Sequence, residues 1–372
     1  MSSSSPELQL ADIEEFLARE AEERVFGTGG QLYVSVDGTP VLDLAVGVDG
    51  LDVPVERDTM FAVYCAGMPV LALAVAALVG DGELSFDDRV GDVLDDRRLP
   101  DHVAGLRVDA LLGHTAGLHR LSPVTYLASP PRAREGLALG TRPPDGWRPG
   151  DVAYSEVAAW HVLGMVVEAL AGEPTRAFAR RRVLEPAGTG DDLFVAGMTD
   201  DEYDAHRGRI GVNAQVEGPR LVPLLGERTR RLRALSSPAI GNTASASGLG
   251  RLYEAVLAAI RTPPSGPLAG ALPAGALAAL VTPQSHGADP VMGRTCGYGL
   301  GFMVGLGEHD FGTRVGDGAF GHSGFRGMTA AFADPAHGLV VACHLNGSVD
   351  PGSLGYRRPA LVDTIYRAVV DP

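Results

Sequence analysis

Apolar residues recur at helical spacing near the start of the chain. Leu8, Leu10, Ile13, Phe16 and Leu17 share one face of the stretch 7–25 with acids opposite, which predicts an amphipathic helix. Gly27-Thr-Gly-Gly30 ends it. The segments 31–36 and 41–46, on either side of Asp37-Gly38-Thr39-Pro40, predict a pair of strands joined by a turn. A nearly unbroken apolar run then predicts a helix over 66–79, stopped by Gly80-Asp81-Gly82. The middle third reads as helices over 108–112 and 156–170 separated by a Pro/Arg-rich loop at 122–149, with a further Pro/Gly/Ala loop at 263–273. Strands return at 298–306, 328–333 and 339–345, and a helix over 359–369 follows. No internal repeat or heptad is present.

Strands at both ends, helices between them and no long crossover helix from strand to strand set this pattern apart from a conventional α/β protein. The expected class is α/β of the α+β kind, an antiparallel sheet flanked by helices with a helical insertion. Residues 1–89 and 246–372 would build the sheet domain and 90–245 the insertion, with a ligand site in the cleft between them.

Composition changes this picture in three ways. All 31 basic residues are arginine, so no lysine base, Schiff base or phosphate anchor exists. A net charge of −15 argues against nucleic acid and anionic membrane as partners. Cys65, Cys296 and Cys343 are too scattered for a disulfide framework or zinc spacing. The first residues lack the basic and apolar regions of a secretory signal, and the longest apolar run, 70–79, is too short to span a bilayer. The expectation is a cytoplasmic protein without cofactor or metal that acts on a small molecule, its oligomeric state left open.

Candidate chemistry begins at Phe61-Ala-Val-Tyr-Cys65-Ala-Gly-Met68, a strand-like entry, a turn and the apolar helix. Val108-Asp-Ala-Leu-Leu-Gly-His114-Thr-Ala-Gly-Leu118, Trp147-Arg-Pro-Gly-Asp-Val-Ala-Tyr154-Ser-Glu156, Gly248-Leu-Gly-Arg-Leu252, Tyr298-Gly-Leu-Gly-Phe302 and Gly321-His322-Ser323-Gly324 follow in order. Together these segments resemble the serine β-lactamase and penicillin-binding-protein superfamily over about residues 8 to 370, most closely its class C β-lactamase, D-aminopeptidase and family VIII carboxylesterase branch. The resemblance aligns Cys65 and Met68 with the S-x-x-K pair, Tyr154 and Glu156 with the ends of Y-x-N, and His322-Ser323-Gly324 with the late H-[ST]-G or K-T-G strand. The segment before Tyr154 is one residue shorter than in the family.

The departures are chemical. In the family the lysine takes the serine's proton, and a Met68 thioether cannot do this. A thiol, with a reference pKa of about 8.5, is partly ionised without help, and a place ahead of a helix would lower it further. The apolar neighbours Tyr64 and Met68, and a nearby Glu156 carboxylate, work in the opposite direction. Three readings follow. In the first, Cys65 accepts an acyl group as a thioester for hydrolysis or transfer. Tyr154 or His322 is then acid or base, His322 and Ser323 position substrate, and the backbone N–H groups of Cys65 and Phe325 form the oxyanion hole that the resemblance implies. In the second, Tyr154, Glu156 and His322 transfer protons on a bound molecule without a covalent step, as in a cyclisation, isomerisation or elimination. In the third, the protein only binds. Met68, Gly324 and Trp147 complete the expected pocket wall. His114 is expected to fix a loop, the arginine runs 180–182 and 228–231 to lie on solvated faces, and Cys296 and Cys343 to be core residues.

Overall fold

The computed structural model describes residues 6–23, 27–217, 220–224, 226–227, 229–262, 266–268, 270–347 and 351–370. Residues 24–25 of the expected first helix, parts of the 263–273 loop, residue 228 and the residues before Pro6 lie outside these. Eight strands form one antiparallel sheet: β1 (Gly29–Val36), β2 (Thr39–Gly47), β3 (Ser285–Asp289), β4 (Arg294–Tyr298), β5 (Met303–Val304), β6 (Phe320–Ser323), β7 (Thr329–Asp334) and β8 (Leu339–Asn346). Their order across the sheet is β2-β1-β8-β7-β6-β5-β4-β3. Tyr33 of β1 therefore lies opposite both Asp43 and Ala342. The β1–β2 turn is only Asp37 and Gly38, both at positive φ, so Thr39 and Pro40 belong to the strand.

The sheet is covered on both faces, which is why β1, β7 and β8 are buried along almost their whole length. Phe332 stacks on Tyr366 of α6 (Pro351–Val369). Phe320, one strand over and on the opposite face, packs on Tyr253 of α5 (Ala246–Arg261). α1 (Pro6–Glu23) lies beside α6, and its Ile13 and Leu17 join the same core. α2 (Met68–Gly80) is buried all round from Met68 to Leu78, as expected of a helix in the middle of a molecule.

The regions between carry α3 (Pro123–Ala128) and α4 (Ala158–Ala171). Three expectations need correction. The stretch 122–149 is not simply loop: Pro123 and Pro131 each begin a helix, because proline tolerates the first turn, where its missing N–H costs nothing. The strand expected over 298–306 breaks into β4 and β5, with Gly301 at φ 92 between them. The terminal helix starts at Pro351 and carries Pro359 inside it.

Candidate active site

Cys65 sits in a single 3₁₀ turn, Tyr64–Gly67, directly before α2. Tyr64 adopts φ 48, a left-handed conformation that costs a non-glycine residue about 1 kcal/mol or more. The turn is held there from two sides. The Asn242 amide donates to the Tyr64 carbonyl at 2.8 Å. The Tyr64 hydroxyl donates to Glu227, whose carboxylate is fully buried and pairs with Arg233 at 3.1 Å. Arg233 also donates to Thr243 and to the Gly211 and Glu227 carbonyls. Gly324 brings the late strand against this turn, since a Cβ there would collide with the Val63 carbonyl oxygen.

A cleft of about 440 Å³ opens over the turn. Cys65, Tyr154, Glu156, Ser323, Gly324 and Phe325 all line it, so sequence reading and structure bring these six together. Met68, His322 and Trp147 are not on its wall. Met68 is wholly buried, and the Tyr154 hydroxyl donates to its sulfur at 3.2 Å. His322 is buried beside Tyr154, with ring centroids 6.0 Å apart. Its Nδ1 is bonded to the Ser323 carbonyl at 2.8 Å, and its Nε2 is buried with no partner. Trp147 instead donates to the Thr115 carbonyl at 3.1 Å and packs on His119. His114 fixes its loop as expected, Nδ1 accepting the Ser155 amide at 3.0 Å, and Cys296 and Cys343 are buried.

The electrostatics of the cleft are those of a poorly hydrated site. Burial pushes the Cys65 thiol up to about 12; the Tyr154 hydrogen bond opposes this and the Glu156 carboxylate reinforces it. Burial and the Cys65 sulfur hold Tyr154 well above an ordinary phenol. Burial lowers His322 to about 4 and raises Glu156 above the usual carboxylate range. At neutral pH the thiol, the phenol and the imidazole are therefore all uncharged. The Glu156 carboxylate has no hydrogen-bond partner among the described residues, which leaves it available to a bound molecule.

Sequence reading missed two organising carboxylates. Glu227 lies in an arginine-rich stretch that pattern alone places at the surface; Arg230 is there, pairing with Asp200 and Asp204, whereas Arg233 is buried. Asp289, also buried, accepts the Tyr154 amide and the Tyr298 hydroxyl on one oxygen, each at 2.8 Å. Its other oxygen takes the amides of Val291 and Met292 at 2.8 and 3.1 Å. No periodicity marks such residues, because the site residues they hold, Tyr64 and Tyr154, are distant in sequence.

The Beta-lactamase family model matches residues 17–365. The chain belongs to this family. Among curated relatives, Esterase EstB of Burkholderia gladioli is 29% identical over 84% of this chain and 83% of its own. Protein Rv1367c of Mycobacterium tuberculosis is 33% identical over 168 residues, 38% of this chain, which spans only 41% of that relative. Among solved structures, a family VIII carboxylesterase superposes with a TM-score of 0.78 at 21% identity, covering 99% of both chains. These likenesses agree with the fold class expected from the sequence. Among the described residues no helix is long and apolar enough to cross a membrane.

Proposed function

We propose that the protein is an acyl hydrolase or acyl transferase acting on an ester, thioester or amide of a small molecule, with Cys65 as nucleophile. The observation that carries this reading is that Cys65 and Tyr154 share the cleft wall, with the Tyr154 hydroxyl donating to the Met68 thioether at 3.2 Å. A neutral thiol beside a neutral phenol favours a relay over an ion pair. The sulfur attacks the carbonyl carbon as its proton passes to the Tyr154 oxygen, and the phenol's own proton goes to the departing oxygen, nitrogen or sulfur. The carbonyl oxygen is received by the amides of Cys65 and Phe325, both on the cleft wall. Water or an acceptor alcohol, amine or thiol then attacks the thioester, giving its proton back through Tyr154 to the sulfur.

Intact-mass analysis after incubation with an activated ester tests the covalent step. A single acyl adduct on Cys65, absent from Cys65→Ala together with turnover, is expected; a Cys65→Ala protein that keeps its activity would defeat it. The partnerless Glu156 carboxylate favours one other reading, in which Glu156 and Tyr154 move protons on a bound molecule without acylation. Under that reading Glu156→Gln and Tyr154→Phe, rather than Cys65→Ala, abolish activity.

A further inference from the structure

The cleft continues beyond Cys65 between two apolar lips. On one side α3 presents Pro123, Val124 and Leu127; on the other the β3–β4 turn presents Val291 and Met292. Val124 is 75% exposed and Val291 38%, so two branched apolar side chains on the cleft lining stand open to water. Neither lip is loose. α3 is capped by Ser122 and anchored from behind by Tyr126, which is fully buried and bonded to His161 at 3.0 Å. The opposite turn is pinned by the two amides that Asp289 accepts. Rigid apolar side chains held open beside a nucleophile gain by being covered, and because they are already ordered, covering them costs little entropy.

We infer that the lips form a subsite for a large apolar substituent of the substrate, continuous with the reacting carbonyl over Cys65. This rests on the acyl-transfer reading above. The same apolar chemistry could belong to the acyl part or to the leaving part, and the test separates them. Binding of methyl octanoate, octyl acetate and methyl acetate to the Cys65→Ala protein is measured by titration calorimetry, beside turnover of the same esters by the wild type. Each methylene taken out of water strengthens binding about fourfold, so covering about three of the added methylenes makes at least one of the eight-carbon esters bind roughly 50-fold more tightly than methyl acetate. Whichever arm gains identifies the part that occupies the lips. Val124→Asp and Val291→Asp should each cut that advantage at least about fivefold, while Val53→Asp, an exposed apolar position off the cleft, should leave it intact. Affinities within about threefold for all three esters, or an advantage untouched by both lip variants, overturn the subsite. If the wild type turns over none of the esters although the octyl compound binds tightly, the subsite stands and the acyl-transfer reading falls.

Discussion

At the scale of residues, the site holds two sulfurs, Cys65 and Met68, at the positions that the family resemblance aligns with a serine and a lysine. Met68 is buried against Tyr154 at hydrogen-bonding distance, so a lysine there would deliver its amine to the same phenol. The double variant Cys65→Ser with Met68→Lys is therefore expected to gain esterase activity on short activated esters, while Cys65→Ser alone should not; stopped assays with p-nitrophenyl acetate compare them. Cys65 itself, pushed up to about 12, should react slowly with iodoacetamide at neutral pH, its rate still climbing above pH 9. It should nonetheless be labelled before Cys296 and Cys343, which are buried. A labelling rate that levels off near pH 8 would show an ordinary thiol. The motif spacing made Cys65, Tyr154 and Glu156 legible in advance. What it could not convey is that the same strand sends His322 behind the wall and Ser323 onto it, since that depends on the pleat and on where the strand ends.

At the scale of elements, legibility followed periodicity. α2, β7 and β8 are largely apolar segments whose burial is written in their composition, whereas β1 is buried with Gln31 and Ser35 in it. α3 is six residues long, and its leading Pro123 disguised it as loop. The turn before α2 was legible only as a turn. Its strained Tyr64 depends on Glu227 and Arg233, which pattern assigns to solvent. Removing one member of a buried ion pair strands the other, at a cost of about 3–5 kcal/mol. Glu227→Ala is thus expected to lower stability by about that amount in urea melts, whereas Tyr64→Phe, which leaves the ion pair in place, should destabilise less and chiefly slow turnover. Equal melts for Glu227→Ala and the wild type would show that the pair does not support the turn.

At the scale of the whole molecule, acid is the natural weakness. Burial holds His322 near 4 and His114 near 3, below the ordinary 6.5. The folded protein keeps both rings neutral down to those values, while the unfolded chain binds protons once the pH drops below about 6.5. The stability tied to these histidines is therefore complete above pH 6.5 and drains away as pH falls from there toward 4. Urea midpoints at pH 7, 6 and 5 should decline stepwise, and His322→Asn should flatten the slope.

The sheet order also governs how the protein comes into being. β1 is sandwiched by β2, made moments after it, and by β8, made last. A nascent chain emerging from the ribosome holds one edge of β1 unpaired through most of its synthesis, with Cys65 already outside and Phe325 still untranslated. Pairings so remote in sequence close slowly, so production of this protein is governed less by its finished stability than by how well that waiting edge is shielded from other chains.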